Sequence, residues 1–397
     1  MAFTAQPMGH ASKLGVLIVD AGERSAVAAC ESLARAGYRV GTASSQHPAP
    51  AGWSRFSECR FSLPNPRMKP RDFAARVAAI AADGGYSTVL PCSEGSLWAI
   101  SNNREQFDGA EVRLGLPDPE TVKRCTDKVK LVESAVGAGL SIPETSVCAD
   151  LDEAVAAAER FGFPAVLKPC RTVFRDADET RHVASALVDA QSLEARLAEA
   201  GLPCLIQRRE QGSIMSVGGV FADGRLLATA CSRYLRTWPA EAGPVSFSQS
   251  IDAPEGLLDA ISRLLEVLGW EGIFELELIE RGEGDYAVLD FNPRIYGSLA
   301  LAVKAGAPLP VVWCDWLLRG KEASLAARPG VFYRWEDADL RNALRCLRKG
   351  HFGRATSILR PKRKVAHAYF RWHDPLPLAV RGLRPFPPFR RGKLSLR

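Results

Sequence analysis

The chain has 397 residues, of which 47% are hydrophobic and 24% are charged, close to the average for soluble globular proteins. This composition excludes a disordered chain, a collagen-like chain and a small disulfide-stapled domain, and the length allows two to three domains of about 150 residues. The net charge of +6 is unevenly placed, because 20 basic residues stand against 5 acidic ones after Leu318, and 31 against 40 before it. An acidic body is therefore followed by a basic C-terminal region.

The cysteines and the apolar runs bear on the compartment and on membranes. None of the 10 cysteines forms a C-x-x-C pair and the 6 histidines show no metal-ligand spacing, so we do not expect a zinc site. Residues 1–13 lack the apolar core of a signal peptide, and free thiols suit a reducing compartment, so the expected location is the cytoplasm. No run of 18 uncharged apolar residues is present, and we expect no membrane span.

The N-terminal part alternates between predicted strands and helices. Residues 14–20 (LGVLIVD) form a short β-branched run typical of a buried parallel strand. A helix to Ala36, a strand over 38–43, a helix over 70–83 and a strand over 87–91 follow, and this order predicts a parallel sheet. The turn after the first strand, DAGERSA, lacks the G-x-G-x-x-G spacing of a dinucleotide site. We therefore expect a Rossmann-like support domain rather than nicotinamide binding.

The next region mixes helices with hairpins. Asp150 is the predicted N-cap of one helix, and the Asp-Gly pair at 223–224 favours a tight hairpin turn. The predicted elements are helices over 121–139, 149–161, 257–268 and 299–305, strands over 163–169 and 202–208, and hairpins over 216–232 and 272–291.

The hairpin near residue 280 carries the residues that point most directly to chemistry. Strand alternation places Glu275 and Glu277 on one face, and Asp290 and Asn292 on one face of the partner strand. Carboxylate and amide oxygens are what Mg²⁺ prefers, with substrate phosphates as further ligands. Arg294 follows, where its planar guanidinium could hold phosphate. The alternative is a solvated acidic hairpin face, which the Asn-Pro-Arg tripeptide disfavours because proline is costly in an ordinary central strand.

The same segment resembles a known family. Asp290-Phe-Asn-Pro-Arg294, followed by Tyr-Gly-Ser, resembles the closing motif of the ATP-grasp superfamily, with Asp where the family typically has Glu. Upstream segments resemble the entry into the family's central domain and its nucleotide-binding lid, and all occur in the family's order within residues 14–320. These segments are 116–121 and 125–128 for the entry, and 139–145 and 163–169 for the lid. The resemblance is greatest to the stand-alone carboxylate–amine ligase-like branch, which has a pre-ATP-grasp domain in front.

The resemblance implies a fold class and a domain plan. It implies an α/β chain with the ATP-grasp fold, in which two α+β subdomains clasp ATP. A Rossmann-like pre-ATP-grasp domain would occupy residues 1–120 and the ATP-grasp domain residues 121–320, with a mobile lid at about 130–205. A basic, mostly helical extension would occupy residues 321–397.

The resemblance also implies cofactors, which are ATP and Mg²⁺ or Mn²⁺. Lys128 and Lys168 would contact the ATP phosphates as compact cations. The strand over 205–208 would pass the adenine, with Gln207 and Arg208 at its end. Glu210 would bond the ribose.

The metal and transfer residues follow from the same motifs. Glu277, Asp290 and Asn292 would hold the metal ions, with Glu275 as the weaker alternative to Glu277. Arg294 would stabilise the transferred phosphoryl group or the acyl intermediate. Two further arginines, Arg233 and Arg236, would face phosphate or the substrate carboxylate.

One segment departs from the family. Many members have a glycine-rich lid loop that cradles phosphate with backbone amides. Here residues 170–182 contain no glycine, so either Arg171 and Arg175 supply the charge or ATP is held more loosely.

The function implied is an ATP-dependent, ADP-forming ligase. It would activate a carboxylate as an acyl phosphate and join it to an amine, with small-molecule acids and amines as substrates. The alternatives are a kinase- or carboxylase-type use of the fold, and a non-catalytic nucleotide-binding interaction protein. The sequence leaves a homodimer open.

The basic region after Leu318 allows two interpretations. Its helical segment over 339–359 has an apolar stripe through Leu340, Leu344 and Leu347. Either the region packs as helices on the acidic body with solvated arginines, or it binds an anionic partner. Nucleic acid is disfavoured, because the aromatic residues lack the framework of a base-stacking module.

Overall fold

A computed structural model describes residues 14–171, 174–176, 179–181, 186–239 and 243–383. The N-terminal sheet in it is wholly parallel, with the order β3-β2-β1-β4, as the alternation of elements predicts. Its first strand is buried along its whole length. The elements are β1 (Gly15–Val19), α1 (Arg24–Arg35), β2 (Arg39–Ser44), a 3-10 turn (Pro50–Trp53), β3 (Cys59–Ser62), α2 (Pro70–Asp83), β4 (Tyr86–Pro91), α3 (Glu94–Ser101) and a second 3-10 turn (Arg104–Phe107).

The helix expected over 121–139 is two helices, α4 (Pro119–Thr126) and α5 (Lys128–Gly137). The single-helix prediction was wrong because Asp127 has an extended backbone and caps α5, accepting hydrogen bonds from backbone N–H groups two and three residues on. Lys128 therefore lies in the first turn of a helix rather than in the middle of one.

A second, smaller sheet follows, with the order β5-β10-β6-β9 and antiparallel pairing throughout. Asp150 caps its first helix by accepting from the backbone N–H of Glu153, which confirms the predicted cap. The elements are β5 (Thr145–Cys148), α6 (Leu151–Phe161), β6 (Ala165–Pro169), the two-stranded pair β7 (Phe174–Asp176) and β8 (Glu179–Arg181), β9 (Ala186–Val188), α7 (Leu193–Ala200) and β10 (Cys204–Gln207).

The central sheet has eight strands, in the order β15-β14-β11-β12-β13-β17-β18 with β16 beside β12. Helix α8 buries its leucines against Phe274 and Trp270 on one side of this sheet. The elements are β11 (Ser213–Ala222), β12 (Arg225–Thr237), β13 (Val245–Ile251), α8 (Leu257–Leu268), β14 (Gly272–Gly282), β15 (Asp285–Asn292), α9 (Leu299–Ala305), α10 (Leu309–Arg319) and β16 (Leu325–Ala326).

Membrane-spanning helices were sought within the described ranges. No single helix there is long and apolar enough to cross a bilayer, and one pair, α9 with α10, passes only together and is bent by 81°.

The C-terminal region completes the central sheet rather than standing apart from it. Its strands β17 and β18 extend the sheet beyond β13. Helix α11 packs on the body through small and polar residues such as Ala338 and Asn342, whereas Leu340, Leu344 and Leu347 face solvent. The C-terminal region therefore packs on the rest of the protein, but the predicted row of leucines does not make this contact. The elements are β17 (Phe332–Arg334), α11 (Glu336–Arg348), α12 (Phe352–Leu359), β18 (Val365–His367) and α13 (Leu376–Leu383).

Candidate active site

The β14–β15 hairpin brings four polar side chains to one face of the central sheet. Glu275 stands opposite Asn292, and Glu277 stands opposite Asp290, in the antiparallel register. The register shifts between these pairs and the turn, because Leu289 is left over on β15. The carbonyl oxygen of this extra residue becomes available as an acceptor.

Two buried lysines from different elements meet this hairpin. The ammonium of Lys128, at the start of α5, forms an ion pair with Asp290. Lys168, at the end of β6, donates from Nζ to the carbonyl oxygen of Leu289 at 2.7 Å. Lys168 belongs to the small sheet and Lys128 begins a helix that packs on the central sheet, so both lysines lie where the two sheets meet, a place that we call the cleft.

The two lysines differ in their protonation equilibria. Burial lowers the pKa of Lys168 to about 8, and the charge of Asp290 offsets only part of that effect. Burial is also the largest single effect on Lys128, but the charge and hydrogen bond of Asp290 and the charges of the two nearby glutamates together outweigh it, so the pKa of Lys128 is raised. Burial is likewise the largest effect on Asp290, but the charges of Lys128 and Lys168 and the hydrogen bond from Lys128 together outweigh it, so the pKa of Asp290 is lowered. Asp290 is therefore the firmly ionised carboxylate of the site.

The two glutamates have different surroundings. Glu277 accepts one hydrogen bond, from the Tyr234 hydroxyl at 2.9 Å, and burial together with the charge of Asp290 raises its pKa. Glu275 accepts from Asn292 Nδ2 at 3.1 Å and from Ser298 Oγ at 3.3 Å. Burial, and next the charge of Glu277, raise the pKa of Glu275 to about 8. Tyr234 was not anticipated from the sequence, because it lies beyond residue 232, where the predicted strand ended.

These residues fit a divalent cation shared with phosphates. The described part of the chain has no group of three or more His, Cys, Asp or Glu that could hold a metal alone. Glu277 and Asp290 supply two carboxylates and Asn292 an amide oxygen, which suits an ion that takes its other ligands from phosphates. Burial, and next the neighbouring carboxylates, raise the pKa of the two glutamates, and a divalent cation would relieve this buried excess of negative charge.

Arg294 links this hairpin to the N-terminal sheet. Its guanidinium donates to Asn292 Oδ1 and to the Ile295 carbonyl oxygen, both at 3.0 Å, and lies 3.7 Å from the Glu94 carboxylate. Arg294 Nε and Glu94 Oε2 are buried and have no hydrogen-bond partner among the described residues. Buried polar atoms are rarely left so, which indicates a place for a ligand's polar groups. Glu94 begins α3, just beyond the carboxyl end of β4, and a polar residue shortly after a buried strand is a signal that the sequence offers.

The residues expected at the base and ribose are engaged with other side chains. Gln207 is buried and donates from Nε2 to Thr145 Oγ1 at 2.9 Å. Arg208 pairs with Glu144 at 2.8 Å, and Glu210 lies 3.5 Å from Arg281. All three positions stay predictions for nucleotide binding.

The start of the lid loop is tied to the first turn of α5. Arg171 pairs with Asp127 at 3.0 Å, and the backbone N–H of Lys128 donates to the Cys170 carbonyl oxygen at 2.9 Å. Residues 172–173 of the glycine-free loop, residues 177–178, and the side chain of Arg175 lie outside the described residues.

The two arginines of β12 are placed apart from each other. Arg233 donates to Glu280 Oε2 at 2.8 Å, near the hairpin turn. Arg236 makes two bonds to Asp339, at 2.6 and 3.2 Å, and lies over the ring of Phe247. These contacts place Arg236 in the packing between β12 and α11.

We expect Arg236→Ala to lower stability and to leave catalysis nearly intact. Asp339 has a side chain only 3% exposed and would keep Arg334 as its remaining partner, so the free energy of unfolding should fall by about 2–4 kcal/mol. Arg225→Ala is the matched control, because its pair with Glu322 is exposed to solvent and should contribute little to stability. Chemical denaturation gives the stabilities; a loss of turnover in folded Arg236→Ala would contradict the assignment.

The N-terminal sheet has a polar cavity at the carboxyl ends of its strands. The cavity has a volume of about 120 Å³, and its lining includes Asp20 and Glu23 after β1 and Arg67 after β3. Asp20 has a positive φ of 62°, which is unusual for a residue other than glycine and is often found at functional sites. Arg67 is surrounded by the charges of Glu94, Glu23 and Asp20, with Arg294 next. The cavity is thus adjacent to the residues that meet the hairpin.

Comparisons with known proteins place this architecture. No family model matches the chain. It is 26% identical over 204 residues to the carbamoyl phosphate synthase large chain of Myxococcus xanthus (strain DK1622), a match covering 49% of this chain and 19% of that one. The chain therefore spans about a fifth of the length of that curated relative.

Solved structures match over most of the chain. The carboxyaminoimidazole ribonucleotide synthase from Aspergillus clavatus, complexed with ATP, has a TM-score of 0.61 at 14% identity and covers 81% of each chain. The L-amino acid ligase from Bacillus licheniformis has a TM-score of 0.57 at 15% identity, covering 77% of this chain and 74% of that one. The biotin carboxylase from Campylobacter jejuni has a TM-score of 0.59 at 15% identity, covering 76% and 70%.

The chain has the ATP-grasp fold. This confirms the fold class expected from the sequence motifs. In ATP-grasp terms, the cleft between the small sheet and the central sheet is where two α+β subdomains face each other, and Lys168 and the β14–β15 hairpin lie on its two walls.

Proposed function

We propose that this ATP-grasp protein is an ADP-forming ligase that activates a carboxylate as an acyl phosphate and joins it to an amine. The observation that supports it most is the meeting of Lys128 and Lys168 with Asp290 and its strand in one cleft. Cations for phosphates and oxygens for a metal ion are there in one place. The neighbouring Arg294 and Glu94, with buried unpartnered atoms, add a place for a second reactant.

The residues in the cleft divide into two groups. Lys128 and Lys168 would bind the phosphates of ATP, and Glu277, Asp290 and Asn292 would hold Mg²⁺. An ion held by these residues would neutralise phosphate charge and orient the γ-phosphoryl group. The ammonium of Lys128 is paired with the Asp290 carboxylate in the structure. Nucleotide binding would require Lys128 to exchange this carboxylate for a phosphate group. Asp290 would then be free to act as a metal ligand.

The reaction balances in two steps. A carboxylate oxygen of the acid attacks the γ-phosphorus and ADP leaves, giving an acyl phosphate. The amine nitrogen then attacks the carbonyl carbon, phosphate leaves, and the nitrogen loses a proton. Arg294 would stabilise the charge of the transferred group or of the tetrahedral intermediate. Water must be kept from the acyl phosphate, and the lid over residues 130–205 is proposed to do this.

The polar cavity of the N-terminal sheet is the proposed pocket for a substrate. Ligands of open α/β sheets bind at the carboxyl ends of the strands. Asp20 and Glu23 suit an ammonium group and Arg67 suits a carboxylate, so a small substrate with both charges fits this lining. The charges of Arg67 and Arg294 interact, which supports a path from the cavity to the transfer site.

The test is ADP release across pairs of acids and amines, with Mg²⁺ and ATP present. We expect release only when both an acid and an amine are supplied, together with a condensed product by mass spectrometry. Release with one acid alone would indicate a kinase-type reaction, and release that requires bicarbonate would indicate a carboxylase-type one. Nucleotide binding without release over a broad set of pairs would favour a non-catalytic role. Any of these three results would contradict the proposal.

A further inference from the structure

One face of the C-terminal region exposes large apolar side chains. Three leucines of α11 are spaced by four and three residues and so form a row on one side of the helix. Two further apolar residues lie at the ends of α12. The exposed fractions are 46% for Leu340, 43% for Leu344, 41% for Leu347, 66% for Phe352 and 49% for Leu359. We call these five residues, with the exposed cations around them, the α11–α12 surface.

These apolar residues are not needed to hold the two helices together. The core between α11 and α12 consists of Ala343, Ala355 and Ile358, with Cys346 beside it. The row of leucines lies outside this core. An exposed apolar row that the fold does not use commonly marks an interaction site.

The charge around this row has one sign. Between Asp339 and Asp374 the chain has ten Lys and Arg residues and not one Asp or Glu. Two acidic residues at the start of α11, Asp337 and Asp339, are buried and paired with Arg381 and Arg236, so they do not offset the exposed cations. Seven cations of this stretch are exposed: Arg348, Lys349, Arg354, Arg360, Lys362, Arg363 and Lys364.

The chain continues from a point beside α11. Arg381, in the last turn of α13, pairs with Asp337 in the first turn of α11 at 2.6 Å. The 14 residues from Arg384 to the end lie outside the described residues. Their sequence adds five Lys and Arg residues, no acidic residue, and the aromatic residues Phe386 and Phe389.

We propose that the α11–α12 surface binds the face of an anionic phospholipid bilayer. A helix that combines exposed leucines with arginines and lysines lies in the plane of the interface, with its apolar side chains among the acyl chains and its cations at the headgroups. A uniformly negative lipid surface complements a stretch without carboxylates. Nucleic acid would complement the cations but would gain nothing from the five apolar residues. The proposal is independent of the ligase reaction.

The experiment is sedimentation of the full chain with vesicles of phosphatidylcholine, with and without phosphatidylglycerol. We expect binding only to the vesicles that contain phosphatidylglycerol, weakening as salt is raised. Leu344→Glu combined with Leu347→Glu should lower the affinity at least tenfold, because each leucine removed from the acyl region forfeits burial of its side chain. Substituting Arg354, Lys362 and Arg363 by Gln should lower it about fivefold per cation removed.

The control is Val267→Glu, on the exposed side of α8 and 52% exposed, which should bind like the wild type. Circular dichroism and the midpoint of thermal unfolding check that every variant is folded. Equal binding to both kinds of vesicle, or to neither, would overturn the proposal. So would tight binding to RNA that the leucine substitutions leave unchanged, or a dimer in solution that only those substitutions disrupt.

Discussion

Lys168→Met is expected to lower the rate of ADP formation by about 10²–10³-fold without making the protein less stable. The substitution should lower activity and spare stability because of where the ammonium lies. It is buried with one hydrogen-bond partner among the described residues, the Leu289 carbonyl oxygen, and burial has lowered its pKa to about 8. The folded protein without nucleotide thus disfavours this charge, whereas the phosphate chain of ATP requires it.

The measurements are turnover, nucleotide affinity by calorimetry and the midpoint of thermal unfolding. A methionine has nearly the same length and no charge, so the cavity stays filled. Lys130→Met is the matched control, two residues beyond Lys128 on α5, where the lysine is 55% exposed and pairs with Glu133 on the surface. It should change none of the three quantities appreciably. Normal turnover by Lys168→Met would contradict the assignment of this lysine to the site, and unfolding of the variant would show that its role is structural.

The sequence predicts the fold well where the spacing of apolar residues agrees with the residues that end helices and strands. The helix over 257–268 was placed correctly, because its apolar spacing ends at a glycine that adopts the left-handed conformation. The β14–β15 hairpin was placed with its polar residues on one face, since strand alternation fixes the face. The domain boundaries at residues 120 and 320 stay predictions.

Other parts required tertiary information. The strand Cys59–Ser62 is short and mostly exposed, so it has no apolar pattern to detect. The break at Asp127 was missed because an aspartate inside an apolar period is a common surface residue, and only its capping bonds reveal a new helix. The exposure of Leu340, Leu344 and Leu347 was not foreseen, because periodicity finds an apolar face and does not say what covers it.

The candidate site also contains residues that the sequence predicts and residues that only the fold brings in. Sequence motifs assign Lys128, Lys168 and Asp290 to one nucleotide site, and in the structure these residues lie close together. Tyr234 and Glu94 belong to no sequence motif, because only the folding of the chain brings them to the site. The Tyr234 hydroxyl lies 2.9 Å from the Glu277 carboxylate, and the Glu94 carboxylate lies 3.7 Å from the Arg294 guanidinium. Arg236 was expected to face phosphate or the substrate carboxylate, but its direction is decided by the buried Asp339.

The choice between the two glutamates of β14 is the second strong prediction. Glu277 faces Asp290 directly and accepts one hydrogen bond within the described part of the chain, which leaves room there for a cation at its carboxylate. Glu275 has both oxygens occupied, by Asn292 and by Ser298. We infer that Glu277 is a ligand of the ion and that Glu275 positions Asn292.

Glu277→Gln is therefore expected to lower turnover by about 10²-fold or more, whereas Glu275→Gln should stay within about tenfold of the wild type. Each substitution removes a charge and preserves size, and glutamine can still accept from Tyr234 or from Asn292, so both variants should fold. The decisive readout is the affinity for Mn²⁺ in the presence of ADP, measured by electron paramagnetic resonance: Glu277→Gln should weaken it clearly and Glu275→Gln only slightly. A larger loss of Mn²⁺ affinity in Glu275→Gln than in Glu277→Gln would make Glu275 the ligand. The hydrogen bonds of Glu275 to Asn292 and Ser298 would then have to be broken when the ion binds.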